Sequence, residues 1–427
     1  MRRYIKILIV LFLISIITFM SACSSNRPAS KDKETLEGKI VVLTDKRYEK
    51  QLKVAADNFE KFHKNVVIDI DVEDKSTEKI SKEYMNNKER PIDVISVEDK
   101  SVQNLLYRFP DTFLDVTDDV SYLKDKISTG KFDNLTLKNR VYGLPLSSSP
   151  KVMLYRSDIL GSLGINLDDI KTWKDYIDLG KKISKDTGKS LMTNIRDENS
   201  NLYYILANQL NTSYFDKDGK LNLSSEQWIK ALEMVKLLYS EGTVYDLSHK
   251  DSIIENIKKD KIISFIADPL YVTDLIQYLP EQKGKWRAMK LPAFEAGGNR
   301  DVSVGGLNIM INKSSANLEI AKEFVKFAAT DNRTQIEMMN SQGAFPVSTD
   351  IYNLVEFNKN NDYYNEKIWF LFSSVEKGSQ GIKYVSNFQV LDESIKDALS
   401  IENLKSKDIK SIMDQLQKEL ENKTTIK

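Results

Sequence analysis

Between Lys39 and Phe109, short β-branched runs alternate with amphipathic stretches, and that alternation limits the fold more than any other feature of the chain. KIVVLTD (39–45) reads as a buried strand. RYEKQLKVAADNFEKFHK (47–64) puts Tyr48, Leu52, Ala55, Phe59 and Phe62 at spacings of 4, 3, 4 and 3, one apolar stripe of a helix. NVVIDIDVED (65–74) sets Ile68, Ile70 and Val72 against Asp69 and Asp71, the two-residue period of a strand. PIDVISVED (91–99) is a third strand and SVQNLLYRF (101–109) a helix after it. Strand, helix, strand order predicts an α/β lobe around a mainly parallel sheet.

The pattern breaks in NRVYGLPLSSSPKVMLYRSDILGSLGI (139–165), where Gly143, Pro145 and Pro150 suggest a crossing between lobes. Helices resume at TWKDYIDLGKKI (172–183), with Thr172 as cap, and at SSEQWIKALEMVKLLYSEG (224–242). In the second helix Ser224 and Gln227 fit a capping box and Gly242 a stop; Trp173 and Trp228 lie on apolar stripes and read as core. Further strands are expected in DKIISFIADPLYV (260–272) and DVSVGGLNIMINKSS (301–315), then a helix at LEIAKEFVKFAA (318–329) and a charged helical tail over 390–423. No repeat of fixed period is present.

Composition removes several classes of function. Lys+Arg 62 balances Asp+Glu 62, which gives no basic excess for nucleic acid. Two histidines, His63 and His249, cannot make a three-histidine zinc site, and no HExxH occurs. YFDKDGKLNLSSEQ (214–227) has the Asp and Gly of a calcium loop but lacks its bidentate Glu, so a turn before a capped helix is the better reading. Neither a metal nor a cofactor is expected.

Cys23 is the one cysteine of 427 residues and so cannot staple the chain. Before it stand Arg2, Arg3 and Lys6, then the apolar run Ile7–Met20, the arrangement of an export signal over residues 1–22. MSAC (20–23) resembles the lipobox of bacterial lipoproteins, with Met20 where leucine is usual; the resemblance implies that the Cys23 thiol carries diacylglycerol. Residues 23–37 then read as a solvated tether between membrane and folded part.

GLPLSSSPKVMLYRSDILGSLGI followed by KTWKDY, and later GKWRAMKLPAFEAGGNRDVSVGGLNIMINKSS continuing through SQGAFPV, resemble in order and spacing the family 1 extracellular solute-binding proteins. These are the carbohydrate-capturing components of ABC importers, whose relatives include the maltodextrin-binding protein. The likeness covers nearly all of 38–420. It implies a two-lobed α/β periplasmic-binding-protein fold, type II-like, with lobe one as 38–145 plus 302–346 and lobe two as 146–301 plus 347–420. A ligand would sit in the cleft between the lobes, at the carboxyl ends of strands. The implied partners are a sugar or oligosaccharide, the ABC permease and, through Cys23, the membrane, for a protein expected to act as a monomer outside the cytoplasmic membrane or in a periplasm, without enzymatic activity.

Sugars offer hydroxyls and apolar faces, so candidates are polar and aromatic residues at strand ends. After the first strand these are Asp45, Lys46 and Tyr48; after the third, Glu98 and Asp99; at the crossing, Ser147, Ser148 and Ser149, with Tyr155 on the next strand, read equally as cleft wall or core. Asp268 and Tyr271 of DPLY stand where the family often has GPW, Gly305 and Gly306 allow close backbone approach, and Trp369, Tyr384 and Phe388 come from lobe two. Asp45 and Asp99 can equally serve as helix caps, and the glycines as a strand entry. Three alternatives stand beside the sugar: a polyamine held by Glu98, Asp99, Asp268 and Tyr271; ferric ion on Tyr203 and Tyr204; and an exported glycoside hydrolase.

Overall fold

The structure is a computed structural model that describes residues 36–74, 80, 85–128, 130–195, 202–216, 218–247 and 252–423. The export signal, Cys23 and the tether up to residue 35 lie outside the described residues. Among those described, no helix is long and apolar enough to cross a membrane.

The strands are β1 (Glu37–Thr44), β2 (Asn65–Val72), β3 (Val94–Glu98), β4 (Thr136–Leu137), β5 (Arg140–Val141), β6 (Leu144–Pro150), β7 (Val152–Arg156), β8 (Met192–Ile195), β9 (Val244–Leu247), β10 (Ser264–Ala267), β11 (Trp286–Met289) and β12 (Ser303–Ile311). They form two five-stranded sheets, ordered β2-β1-β3-β12-β6 and β11-β7-β10-β8-β9, and a β4-β5 hairpin. In the first sheet β1 pairs in parallel with β2 and β3, as the strand–helix alternation requires, while β12 runs antiparallel to both β3 and β6. The second sheet is parallel across β10, β8 and β9 and antiparallel where β7 and β11 join. Each sheet carries its own core, so the molecule has two α/β lobes.

The first lobe follows from its periodicity. Helix α1 (Glu49–Phe62) packs on β2 and buries Leu52, Ala55 and Phe59 in the first lobe's core, where Phe59 meets Phe324 edge-on at 5.5 Å. Helix α2 (Asp99–Arg108) starts where β3 ends. The first sheet keeps the chain through Pro150, so the crossing expected near Pro145 comes five residues later: Ser147 and Ser148 still pair with β12.

In the second lobe β7 alternates strictly. Val152 and Leu154 enter the core with Phe265 and Trp286, while Met153 and Tyr155 enter the one with Trp173 and Tyr176. Helix α3 (Trp173–Thr187) has the Thr172–Asp175 capping box, and α4 (Leu202–Gln209) is buried throughout. Helix α5 (Glu226–Ser240) is capped by Ser225, whose Oγ accepts from Trp228 N–H; the Ser224–Gln227 box does not form. Helix α6 (Pro269–Tyr278) follows β10. Helices α7 (Leu318–Thr330) and α8 (Asn332–Gln342) return to the first lobe against α1. The chain closes with α9 (Ile368–Gly378), α10 (Phe388–Ala398), α11 (Ile401–Ser406) and α12 (Ile409–Lys423). Gly343, at φ +64 beyond α8, packs against α6: a Cβ there would stand 2.5 Å from the Pro269 carbonyl oxygen and Leu270 Cα.

Candidate ligand-binding cleft

A cavity of about 510 Å³ lies between the lobes, where the carboxyl ends of β1 and β3, the strands β6 and β12, and the first turns of α6 come together. Its aromatic lining is Tyr48 from the first lobe and Tyr204, Tyr271, Tyr384 and Phe388 from the second. Tyr204, Phe388 and Tyr384 belong to one continuous cluster: Tyr204 meets Phe388 edge-on at 5.6 Å and Phe388 meets Tyr384 at 4.7 Å. Tyr271 stands edge-on to Phe265 at 5.4 Å.

Charges on the cleft wall are held in pairs. Glu98 receives Arg47 Nη1 at 3.0 Å, the Tyr48 hydroxyl, and Lys100 Nζ at 3.1 Å. Burial pushes the Glu98 carboxyl up, but Lys100, Arg47 and the Tyr48 hydroxyl outweigh it and hold it below its usual range. Burial, then Glu98's charge, pushes the Tyr48 phenol well up. Asp268 Oδ2 takes Lys151 Nζ and Ser149 Oγ, each at 3.3 Å, while its Oδ1 caps α6 through Leu270 N–H. Under the floor, Asp99 Oδ2 meets Lys131 Nζ at 2.8 Å and Oδ1 accepts from Asn308 at 2.8 Å. Lys131 also donates to the Gly305 carbonyl at 2.7 Å. Gly306, at φ +147, makes this approach possible: a Cβ would stand 2.4 Å from the Ser147 carbonyl oxygen and 2.6 Å from Lys131 Nζ. Asp274 is different. Burial and the neighbouring Asp268 push its carboxyl up to about 6.

Of the residues expected at the site, Lys46, Tyr48, Glu98, Asp99, Ser147, Ser148, Ser149, Asp268, Tyr271, Gly305, Gly306 and Tyr384 line this cavity, as does Phe388. Three do not. Asp45 accepts from Arg47 N–H and caps the short turn Lys46–Tyr48, so its side chain is spent beside the cleft. Tyr155 falls on the core face of β7 by the two-residue period, 8% exposed. Trp369 sits on the inward stripe of α9 beside Phe372, donates Nε1–H to Asn340 at 2.9 Å, and borders a separate outer groove. Asp99 lines the cavity but does not cap α2; it is 2% exposed and committed to Lys131 and Asn308. Gly305 and Gly306 lie within β12, across a register shift, rather than at its entry.

Sequence reasoning missed Arg47, Gln51, Asp274, Gln277, Gln342 and the cavity-facing side of Tyr204. Asp274 and Gln277 had a readable signal: with Leu270 and Tyr271 they recur every three or four residues after the β10 strand end. Tyr203 and Tyr204, considered for ferric ion, sit on α4, where the Tyr204 hydroxyl pairs with Ser213 Oγ at 3.3 Å and the Tyr204 ring packs in the aromatic cluster. In the calcium-like turn, Asp216 Oδ1 accepts from the backbone N–H groups of Asp218 and Lys220, so that carboxylate holds the turn.

The family described as bacterial extracellular solute-binding protein matches residues 54–364, more than half of the chain. The arabinooligosaccharide-binding protein of Bacillus subtilis (strain 168) is 29% identical over 275 residues, 64% of this chain and 63% of that protein. The lactose-binding protein of Rhizobium radiobacter is 27% identical over 237 residues, 55% of each chain. The chain thus spans less than two thirds of either relative's length. Both relatives are binding proteins rather than enzymes. Maltose-bound MalE3 of T. maritima superposes with a TM-score of 0.73 at 18% identity, over 90% of this chain and 100% of that one, a likeness of fold.

Proposed function

Since the chain belongs to the bacterial extracellular solute-binding protein family, we propose that its cleft captures a neutral sugar or oligosaccharide and hands it to an ABC permease, with no bond made or broken. The observation that carries the ligand class is the charge balance of the cleft. Glu49 pairs with Lys46, Glu98 with Arg47 and Lys100, Asp99 with Lys131, Asp268 with Lys151 and Asp392 with Lys396. A polyamine needs several carboxylates whose charge is still free. Among the described lining carboxylates only Asp274 makes no ion pair.

What remains to recognise is a solute with hydroxyls and apolar faces. The rings of Tyr48, Tyr204, Tyr271, Tyr384 and Phe388 supply the faces, and the serines and fixed carboxylates supply hydrogen bonds. The names of the relatives, which bind arabino-oligosaccharides and lactose, favour the same class. A glycoside hydrolase would need two free carboxylates as acid and base or nucleophile; Asp268, the neighbour of Asp274, is already held by Lys151, Ser149 and the helix it caps.

Capture then proceeds by closure. A sugar that touches both lobes binds the closed form better, and that difference in affinity is all closure requires. In this reading lobe one is 38–150 with 303–346, lobe two is 151–302 with 347–420, and the closed monomer docks on the permease. Residues 1–22 direct export, a lipid on Cys23 holds the chain at the outer face of the membrane, and the segment from there to β1 gives it reach. Thermal unfolding against arabinotriose, lactose, maltotriose, spermidine and ferric citrate tests the ligand class. A sugar at a hundred times its Kd adds about 2.7 kcal/mol and raises the midpoint; a rise with spermidine or ferric citrate alone would refute the reading.

A further inference from the structure

Asp274 is the one carboxylate among the described cleft residues that the protein leaves without an ion pair, and its position gives that charge a use. It sits on the cleft face of α6 with Leu270, Tyr271 and Gln277, while Val272 and Leu275 are fully buried on the opposite face. Its carboxylate makes neither a hydrogen bond nor a salt bridge with any described residue.

The groups facing it come from every element packed around it. Asp268 precedes the same helix and is neutralised from behind by Lys151. Across the cleft, the first turn of α1 presents Lys50, beside Glu49, which pairs with Lys46. The end of α8 offers only the uncharged Ser341 and Gln342, and behind α6 lies the Tyr364 phenol. The opposing charge of Lys50 is exposed to water, whereas Asp274 is half-buried. Burial, then Asp268, makes the ionised form of Asp274 unfavourable, and Lys50 across the cleft offsets this only in part.

We propose that Asp274 is a specificity-determining residue, which accepts hydrogen bonds from the hydroxyls of a neutral sugar and excludes solutes that carry a carboxylate. The inference rests on the carbohydrate reading above. An ionised carboxylate offers about four acceptor positions, and charge-assisted bonds to hydroxyls are roughly twice as strong as neutral ones. A second carboxylate brought to the same wall meets a like charge that only the water-exposed Lys50 offsets, which is discrimination by repulsion.

The test is calorimetric titration of the full chain and of Asp274→Asn with arabinotriose and lactose, each beside its aldonic acid, which adds one carboxylate. The intact protein should bind a neutral sugar at least tenfold more tightly than its acid, and Asp274→Asn should shrink that ratio to threefold or less. The same ratio measured on the unsubstituted protein at pH 5.0 and 7.5 removes any dependence on how the variant folds. It should narrow at pH 5.0, where Asp274 is largely protonated and the sugar acid is still ionised. Equal binding of sugar and acid, or a ratio unmoved by both the substitution and pH, overturns the assignment of Asp274 while leaving the carbohydrate reading intact. Binding of neither sugar would instead remove the carbohydrate reading and this inference with it.

Discussion

Replacing Lys131 by methionine should destabilise the protein out of proportion to the small change in volume. The Lys131 side chain is 8% exposed and its partner Asp99 3%, with 2.8 Å between Nζ and Oδ2, and the same ammonium holds the Gly305 carbonyl at 2.7 Å. With the ammonium removed, Asp99 keeps only the Asn308 amide, and a buried charge that loses its partner costs about 3–5 kcal/mol. In a lobe of this size that corresponds to a fall of roughly 10 °C in the melting midpoint. The assay is thermal and urea unfolding of Lys131→Met, Asp99→Asn and the double variant at pH 7. The double variant should recover at least about 1 kcal/mol of the loss, because both substituted side chains are neutral and the amide introduced by Asp99→Asn can still accept from Asn308. A loss under about 1 kcal/mol for Lys131→Met, or a double variant no better than the worse single one, would refute the idea that this pair holds up the cleft floor.

Three further outcomes follow from the same geometry. Asp274 has a folded pKa of about 6 against an ordinary 3.8, so stability is greatest below the unfolded value and falls as pH rises through 6. Fully buried, the difference would be worth about 3 kcal/mol; water reaching the half-buried carboxyl reduces it to about 1 kcal/mol, and Asp274→Asn should remove the decline, as a melting series from pH 4 to 8 would record. Gly343→Ala forces a side chain into αL backbone and against Pro269 and Leu270, and should cost about 1–3 kcal/mol in urea unfolding, more than a surface Gly→Ala change. Glu98→Gln removes the charge that Arg47 and Lys100 share and should weaken the sugar about tenfold, or about 1.4 kcal/mol by calorimetry, with a smaller effect on melting.

Much of the cleft was legible because strand ends are local events. A β-branched run that stops at Thr44, Val97 or Ala267 announces the residues just beyond it, and Lys46, Tyr48, Glu98, Asp268 and Tyr271 all stand at such ends and all line the cavity. The apolar stripe of α1 and the Thr172 cap were readable for the same reason. What failed depended on which way a side chain turns. Tyr155 lies between two cleft-side segments in sequence, yet the alternation along β7 sends it into the core. Trp369 has the right chemistry, but α9 aims it at Phe372 and Asn340.

The neutralising cations were invisible for another reason. Lys131 and Lys151 are common residues in unremarkable settings, and their pairing with Asp99 and Asp268 spans 32 and 117 positions. Only the folded arrangement shows that a wall of carboxylates, which in sequence was compatible with a polyamine, has almost no free charge left. The role of Ser148 was half-readable in the same sense: its place at the crossing could be seen, but not that its hydroxyl donates to the buried Glu376 at 2.7 Å.

The central claim is that the cleft takes up a neutral sugar and releases it unchanged. It is tested most directly by calorimetric titration of the full chain with arabinotriose, lactose, maltotriose and spermidine, followed by chromatography of the solute recovered from the cell. The expected result is one-to-one binding of at least one of the sugars, none of spermidine, and recovery of the sugar intact. Binding of spermidine alone would contradict the reading of the cleft's charges, and a recovered sugar cut into shorter units would contradict the claim that this cleft only binds.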